Sequence, residues 1–349
     1  ISSHAIRDYA AFIVDCYQRR VLLEAMKDAR LAVHKMKNLA EVQAGLEIAG
    51  AKIVASDTRK PTISMLAAAT KAMDMARQAY MGEAVGLITG IKSFDQLTGG
   101  FFPEDFVIIA GAPSMGKTAL ALAMAKVYGA ATCGTALVSL EMAEYSLAQR
   151  MISNVSGVPY RNMRRGIFSP EQGQSMAQAA QQAGRWPIEI VQGHVRDVAG
   201  IYAVARRIQK GMADHVPGGL RVLIVDYLQL VRAPAKDRFQ MIGEVSQGLK
   251  NIAKQMGIPV IALAQVNAKE LSNRDDKRPK LSDIRESGQI EQDADVIMFT
   301  QREHYHLERG GAPRGKNGQV SVDAMVDHDA ALKATQFQMD VILAKHRHD

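Results

Sequence analysis

Eight consecutive residues in the first half of the chain match the pattern G-x-x-x-x-G-K-[ST], which is typical of loops that bind nucleotide phosphates. They are Gly111, Ala112, Pro113, Ser114, Met115, Gly116, Lys117 and Thr118. Apolar residues 106–110 precede them as a buried strand would, and strong helix formers follow. Such a loop directs backbone N–H groups and the positive end of a helix dipole at one point. We predict that it binds a nucleotide, with Lys117 at the outer phosphates and Thr118 as a Mg²⁺ ligand.

Two further apolar segments each end in an acidic residue of the kind that a nucleotide site needs. Residues 222–225 precede Asp226, and residues 135–140 precede Glu141. A carboxylate at a strand end can hold a Mg²⁺-bound water beside the phosphate loop, and a second carboxylate can polarise the attacking water. We predict the first role for Asp226 and the second for Glu141. The alternatives are that Asp226 only caps the following turn and that Glu141 only supplies a favourable charge at a helix N-terminus.

Seven short apolar segments alternate with helical stretches from about residue 87 onward. They lie at 106–110, 135–140, 188–191, 221–225, 259–264, 296–300 and 339–344. This alternation predicts an α/β fold in which helices wrap a mostly parallel sheet, with ligands at the carboxyl ends of the strands. Gln265 directly follows the fifth segment, where its amide could sense a γ-phosphate, although one glutamine is weak evidence by itself.

The first 80 residues have helical rather than alternating periodicity. Apolar residues recur at three, four or seven positions in two successive stretches, namely Ile6, Tyr9, Ile13, Cys16, Leu23 and Met26, then Leu39, Val42, Leu46, Ala49 and Ile53. Pro61 is placed to open a third helix, whose narrow stripe contains Ile63, Leu66, Thr70, Met73 and Arg77. A narrow stripe favours docking on a neighbour. We predict a helical domain over residues 1–58, a linker helix and linker over 59–86, and an α/β domain over 87–349.

Composition sets outer bounds on function. The chain has 349 residues, 47% of them hydrophobic, and a formal net charge of +7. This charge is compatible with nucleic acid as a partner, but an ordinary basic surface accounts for it equally well. The two cysteines, Cys16 and Cys133, are too few for a disulfide framework or a zinc site, which favours a cytoplasmic location. We expect neither a membrane span nor a signal peptide.

Together these motifs resemble the RecA-like motor domain of the DnaB family of replicative DNA helicases. The resemblance covers about residues 89–347 and is carried by four stretches, namely 89–100, 139–142, 226–230 and 282–295. Residues 4–9 are similar to the last part of the helical N-terminal domain of that family. The resemblance implies a RecA-like P-loop NTPase, preceded by an α-helical N-terminal remnant and by a linker helix that packs on the adjacent subunit.

The resemblance also implies roles for individual residues. Lys117, Thr118 and Asp226 would bind Mg-ATP, Glu141 would be the catalytic carboxylate, and Gln265 the γ-phosphate sensor. The segment 341–347 resembles the strand whose lysine and arginine, here Lys345 and Arg347, reach the nucleotide of a neighbouring subunit. The family forms hexameric rings that move 5′ to 3′ on single-stranded DNA and unwind forked duplexes, with a primase and a helicase loader as partners.

A polar loop at residues 267–280 follows Gln265 and is the predicted contact with DNA. Its basic residues are Lys269, Arg274, Lys277, Arg278 and Lys280, and it contains no aromatic residue. This composition favours sequence-independent contact with phosphates over base stacking. By resemblance, Arg285, Glu286 and the Gly288 backbone would add further DNA contacts. The alternative is a solvated loop in which the acidic residues Glu270, Asp275 and Asp276 cancel the basic ones.

Two other functional classes share parts of this pattern. A RecA-type recombinase or clock-like regulatory ATPase shares the phosphate loop and its lead-in, and a non-motor scaffold could use ATP only to control assembly. The stretch 285–288 and the helical N-terminal residues argue against the first class. Lys117, Glu141, Asp226 and Arg347 together argue against the second. The segment 307–338 is longer than the family pattern, and the sequence leaves its role open.

Overall fold

A computed structural model of the chain describes residues 3–35, 63–82, 86–192, 195–233, 237–267, 276–284, 287–311 and 321–347, together with residues 38, 42, 45, 235, 271 and 274. The chain divides into two compact units, Ile1–Met81 and Gly82–Asp349. The expected boundary between residues 58 and 59 falls outside the described residues and stays a prediction.

Among the described residues of the first unit are two long helices, α1 (Ser3–His34) and α2 (Met65–Tyr80). Helix α1 confirms the first predicted helix, whereas most of the second predicted helix lies outside the described residues. The prediction that Pro61 opens the third helix is wrong, because that helix begins at Met65. The Ser64 hydroxyl accepts a hydrogen bond from the Ala67 amide at 3.2 Å and so caps the helix in place of the proline.

The second unit is built on a seven-stranded sheet with the strand order β3-β2-β4-β5-β1-β6-β7. The strands are β1 (Phe106–Gly111), β2 (Gly134–Ser139), β3 (Ile188–Val191), β4 (Leu220–Asp226), β5 (Val260–Gln265), β6 (Val296–Gln301) and β7 (Asp340–His346). The first six strands are parallel, and β7 pairs antiparallel with β6. All seven predicted strands are confirmed within one or two residues at each end.

Helices cover both faces of this sheet. They are α3 (Lys92–Thr98), α4 (Lys117–Ala130), α5 (Glu144–Ser156), α6 (Tyr160–Arg165), α7 (Pro170–Ala183), α8 (Val198–Met212), α9 (Arg238–Met256), α10 (Ser287–Asp293), α11 (Glu303–Gly310) and α12 (Val322–Thr335). Successive residues of β1 face opposite sides: Phe106 and Ile108 share a core with α8 and α9, while Val107 and Ile109 share one with α4 and α5. Within the described part of the chain, no helix is long and apolar enough to cross a membrane.

The sheet separates functional residues into two groups at opposite edges. Gly111 pairs with Gln265 and Ser139 pairs with Asp226, so the ends of four parallel strands meet at one edge. Strand β7 runs the other way, and His346 at its end pairs with Val296 at the start of β6. Because the outermost strand β7 runs antiparallel, its final residues and Arg347 lie at the amino ends of the parallel strands, which we call the amino edge.

The lead-in at residues 89–100 is held together by one carboxylate. Asp95 accepts hydrogen bonds from the Thr89 amide at 2.8 Å, the Thr89 hydroxyl at 2.7 Å and the Gly90 amide at 2.9 Å. Its helix ends at Gly99 in the left-handed region, and a Cβ at Gly100 would lie 2.5 Å from the Leu87 carbonyl oxygen. The Asp95 carboxylate thus fixes the conformation of the segment that leads into β1.

Replacing Asp95 by Ala should lower the free energy of unfolding by about 2 kcal/mol, because each poorly solvated donor left without a partner costs roughly 1–3 kcal/mol. Urea denaturation of the purified chain measures this change. Asp214→Ala, at an exposed turn position, is the matched control and should change stability by less than about 0.5 kcal/mol. Equal effects of the two substitutions would contradict a stabilising role for the hydrogen bonds that Asp95 accepts.

Candidate active site

The phosphate loop lies between β1 and α4 at the carboxyl edge of the sheet. Gly116 precedes the helix with φ of +90°, and a Cβ there would lie 2.8 Å from the Met339 sulfur. No side chain caps this helix start, so the first-turn N–H groups remain directed at the loop. These features form a cradle for an anion at the N-terminus of a 14-residue helix.

Lys117 folds back over the loop that precedes it. Its Nζ atom donates hydrogen bonds to the carbonyl oxygens of Gly111 at 2.8 Å and of Ala112 at 3.1 Å. Burial lowers the pKa of Lys117, and the carboxylates of Asp226 and Glu141 partly oppose that shift. A phosphate at the loop would favour the charged ammonium in the same way.

The remaining loop residues divide by exposure. Pro113 and Ser114 are exposed, whereas Met115 is 3% exposed and its sulfur accepts a hydrogen bond from the Arg302 amide at 3.4 Å. Met115 therefore packs into the domain, and only its backbone is placed to face a phosphate.

Thr118 and Asp226 meet across the site, as the sequence predicts. The Thr118 hydroxyl donates a hydrogen bond to Asp226 Oδ2 at 2.8 Å. Burial raises the pKa of Asp226, and the bond from Thr118 and the charge of Lys117 oppose that rise. A hydroxyl and a buried carboxylate are the hard oxygen ligands that Mg²⁺ prefers, with phosphates and waters supplying the rest. The described residues contain no cluster of three or more His, Cys, Asp or Glu that could hold a metal. This donor set thus fits an ion that arrives with a nucleotide.

Glu141 is positioned by the turn that ends β2. The Ser139 hydroxyl accepts a hydrogen bond from the Met142 amide at 3.1 Å and donates one to the Met142 carbonyl at 2.7 Å. The Leu140 amide donates to the Asp226 carbonyl oxygen at 2.8 Å, which ties this turn to the end of β4. Glu141 is exposed, and its charge contributes to raising the pKa of Asp226. The three predicted residues Lys117, Glu141 and Asp226 therefore share one electrostatic environment.

Gln265 ends β5 beside the phosphate loop, in register with Gly111. Its backbone is clamped by Gln229, a side chain for which we predicted no role. Gln229 Nε2 donates to the Gln265 carbonyl and Gln229 Oε1 accepts from the Gln265 amide, both at 3.2 Å. The only sequence signal for this clamp is that Gln229 belongs to the stretch 226–230, which matches the family.

Lys345 and Arg347 do not approach the phosphate loop of their own chain. Lys345 Nζ donates to the carbonyl oxygens of Glu291 at 2.5 Å and of Ala294 at 2.8 Å. Arg347 donates to the Gln292 carbonyl at 2.7 Å and to Asp295 Oδ1 at 2.9 Å. Both cations thus lie at the amino edge of the sheet, against the end of α10.

Asp295, for which we predicted no individual role, links β1, α9 and the residue after β7. It is 2% exposed, and its Oδ2 accepts from the Phe106 amide at 2.8 Å and from Lys250 Nζ at 2.5 Å. Burial acts to raise the pKa of Asp295, but these bonds and the charge of Arg347 hold it below its usual value. The sequence signal that could have identified Asp295 is the position of an acidic residue directly before the apolar segment 296–300.

The residues predicted to contact DNA are only partly described. Lys269, Arg285 and Glu286 lie outside the described residues. The Arg274 guanidinium pairs with the buried Asp283 at 2.5 Å, so a phosphate would compete with that carboxylate. Lys277 and Arg278 are exposed.

Two cavities are each lined by a predicted DNA contact and by predicted site residues. Lys277 lines a cavity of about 570 Å³ together with loop residues 112–115 and with Tyr305 and His306 of α11. Gly288 lines another, of about 470 Å³, with Lys345 and Arg347. The basic loop and α10 therefore each border one group of site residues.

A phosphate loop after a central strand, with acids at the ends of neighbouring parallel strands, defines a RecA-like P-loop NTPase domain. The chain belongs to the family of the DnaB-like helicase C terminal domain, which it matches over residues 86–349. This match confirms the resemblance predicted from the sequence. Domains of this family bind nucleotides, which agrees with the cradle described above.

Individual relatives give the same result. The chain is 36% identical over 280 residues to the replicative DNA helicase DnaB of Rickettsia bellii (strain RML369-C), covering 75% of this chain and 54% of the relative. The replicative DNA helicase DnaB of Geobacillus stearothermophilus is 37% identical over 229 residues, covering 64% of this chain and 49% of the relative. The chain thus spans about half the length of the curated relatives it matches.

Solved structures agree with the predicted fold class. A DnaB-like replicative helicase, studied with its interactions with primase, aligns with a TM-score of 0.66 and 29% identity over 99% of this chain and 75% of that one. A solved ATPase domain aligns with a TM-score of 0.67 and 30% identity over 82% of this chain and 92% of that one.

Asp226→Asn should raise the free energy of unfolding of the nucleotide-free protein at pH 7 by about 0.5–2 kcal/mol, as substitutions of strained functional groups commonly do. The pKa of Asp226 is raised in the folded state, so its ionised carboxylate costs stability at neutral pH. That cost disappears as the pH falls through the folded-state pKa, so the gain should shrink toward zero on acidification. Urea denaturation with a chelator at several pH values measures both effects.

Asp295→Asn is the control of opposite sign. The pKa of Asp295 is lowered in the folded state, so its carboxylate contributes stability above the ordinary aspartate range, and this is lost as the pH falls through the lowered value. This substitution should therefore destabilise the protein at pH 7. A gain from Asp295→Asn, or a loss from Asp226→Asn, would contradict the direction of the corresponding pKa shift.

Proposed function

We propose that this protein is the ATPase portion of a ring-shaped replicative DNA helicase, which hydrolyses ATP to move along single-stranded DNA and unwind the duplex ahead. One observation carries the proposal: the phosphate loop and the cations Lys345 and Arg347 lie at opposite edges of one sheet. A nucleotide site of this kind is complete only when a neighbouring subunit supplies the cations.

The residues at the carboxyl edge would bind and cleave ATP in the following way. Lys117 leaves its carbonyl partners for the outer phosphates, which the first-turn N–H groups of α4 also bind. Thr118 and Asp226 hold Mg²⁺, which when bound neutralises charge on the phosphates. Glu141 orients the attacking water and accepts its proton, and Gln265 contacts the γ-phosphate. Exposure of Glu141 suits this role, because the water must reach it from the open side of the site.

Strand geometry supports a contribution in trans. Five residue steps separate Phe106, at the level of Arg347, from Gly111 before the phosphate loop, which is about 17 Å at ~3.3 Å per residue. This distance exceeds the reach of an arginine side chain. A head-to-tail interface, in which the amino edge of one subunit meets the carboxyl edge of the next, brings the two together and generates a ring when the rotation closes.

Helix α2 offers a second contact for such an assembly. None of its residues is buried, and Met65, Leu66 and Met73 are 82%, 80% and 70% exposed. We propose that this helix is the linker helix that docks on the adjacent subunit of a homo-hexamer. Burial of the exposed apolar stripe would then stabilise the ring.

DNA would be held at the polar loop and at the start of α10. Lys277 and Arg278 are exposed, and we propose that they contact backbone phosphates together with Lys269, Arg274, Arg285, Glu286 and the Gly288 backbone. Movement 5′ to 3′, and partnership with a primase and a helicase loader, belong to the proposal for the longer protein. We expect such a protein to act in the bacterial cytosol or nucleoid.

Forked DNA tests the proposed activity directly. We expect ATP- and Mg²⁺-dependent unwinding of a fork with a 5′ single-stranded tail and little unwinding of one with only a 3′ tail. Lys117→Ala should abolish unwinding because the phosphates lose their ammonium partner. Glu141→Gln should abolish turnover while the ring persists. Strand exchange without unwinding would instead favour a recombinase, and assembly control without DNA-stimulated turnover would favour a scaffold.

Arg347→Ala should reduce ATP turnover by about 10³-fold or more, the contribution typical of an arginine supplied in trans. Nucleotide affinity should change little, because the binding residues of each loop are intact. Turnover assays and binding of a fluorescent ATP analogue separate the two effects. Wild-type protein diluted until it dissociates should lose turnover in parallel. Brisk hydrolysis by the dissociated chain would contradict the contribution in trans.

A further inference from the structure

Arg347 at the amino edge is held by a buried carboxylate, that of Asp295. The Asp295 side chain is 3% exposed, whereas that of Arg347 is 47% exposed. The guanidinium is thus bonded to a group inside the domain, while about half of the arginine side-chain surface stays accessible. A guanidinium has five N–H donors, and the bonds to Asp295 and Gln292 use two of them. The three remaining N–H groups can donate to a phosphate while the bonds to Asp295 and Gln292 persist.

Lys250 gives Asp295 a second positive partner on the opposite side. Its Nζ donates to Asp295 Oδ2 at 2.5 Å and to the Glu104 carbonyl at 2.9 Å, and its side chain is 13% exposed. Removing one member of a buried ion pair normally leaves an uncompensated charge, which is strongly destabilising. Lys250 and the Phe106 amide both donate to Oδ2, so the carboxylate is held from one side and presents Oδ1 to Arg347. With Lys250 in place, Asp295 is therefore a compensated and fixed acceptor for the guanidinium.

Helix α10 connects the same group to the predicted DNA contacts. Gly288 is in its first turn, and the carbonyl oxygens of Glu291 and Gln292 near its end accept from Lys345 and Arg347. Gly288 also lines one cavity together with both cations. A displacement of this two-turn helix would therefore move the carbonyl groups that orient the cations.

We propose that Asp295 is a positioning residue for Arg347, which fixes the guanidinium at the amino edge, with the end of α10, so that it meets the nucleotide of the neighbouring subunit. This inference rests on the proposed function in trans. Its physical basis is preorganisation, because a misplacement of about 1 Å can cost on the order of 100-fold in rate.

One competing explanation must be separated from this proposal. Asp295 also accepts from the Phe106 amide at the start of β1, the strand that leads to the phosphate loop of its own chain. A substitution at Asp295 could therefore disturb the nucleotide site of the same subunit. The two explanations differ in which subunit loses function.

Mixed rings distinguish them. Asp295→Asn keeps an oxygen that can accept from Phe106 but removes the charge that holds Arg347, and its turnover should fall by about 10- to 100-fold. Lys117→Ala disables the loop but leaves Asp295 and Arg347 intact. In an equal mixture, about a quarter of head-to-tail interfaces pair an intact loop with intact cations. DNA-stimulated ATP turnover of the mixture should therefore rise well above that of either variant alone.

The control is an equal mixture of Arg347→Ala and Lys117→Ala, which should recover turnover for the same reason. Failure of this control would overturn the proposed function in trans, and the role of Asp295 with it. Recovery in the control but not with Asp295→Asn would overturn only the inference, because the asparagine subunit would then lack a working loop of its own. Wild-type turnover by Asp295→Asn would overturn it as well.

A second variant keeps the test available if Asp295→Asn does not fold. Lys250→Met removes a donor that orients the Asp295 carboxylate, so Arg347 should be held less precisely and turnover should fall. Mixing with Lys117→Ala should again restore activity. Unchanged turnover by Lys250→Met, or a loss that mixing does not restore, would contradict the positioning role.

Discussion

The antiparallel pairing of β7 with β6 is the constraint on which the arrangement of the site depends. Six parallel strands end at one edge, and four of them place the phosphate loop, Glu141, Asp226 and Gln265 there. The seventh strand reverses and delivers Lys345 and Arg347 to the other edge. Had β7 been parallel, these cations would have ended beside the loop of their own chain. Chain direction at the outermost strand thus determines at which end of the sheet each group of predicted site residues lies.

Two buried aspartates at strand ends show how one residue type serves opposite purposes. Burial raises the pKa of Asp226 despite the nearby Thr118 and Lys117, so its ionised form lowers the stability of the fold. Asp295 is surrounded by Lys250, Arg347 and the Phe106 amide, which together lower its pKa despite its burial. The first carboxylate is under-compensated within the fold, as the proposed metal site requires, whereas the second pairs with two cations of the same domain.

The sequence sufficed for the parts of the protein that depend on local patterns. The phosphate loop, the seven strands and the acids that follow β2 and β4 could be predicted, because glycine spacing and apolar runs are read over a few residues. The start of α2 could not, since the hydroxyl of Ser64 outweighed the proline signal at Pro61. Gln229 and Asp295 were also missed as site residues. Their contacts are with Gln265, Lys250 and Phe106, residues distant in sequence, and no local pattern encodes such pairings.

Strand β7 has one further property, which concerns its beginning rather than its end. Met339, directly before the strand, packs closely on Gly116, where a Cβ would lie 2.8 Å from the methionine sulfur. From that point β7 runs to Arg347 as a single extended element. In a ring of the proposed kind, β7 would therefore link the phosphate loop of its own subunit to the cations directed at the next. Nucleotide binding at one phosphate loop would then influence the position of the cations at the adjacent subunit, which is a physical basis for communication between neighbouring sites.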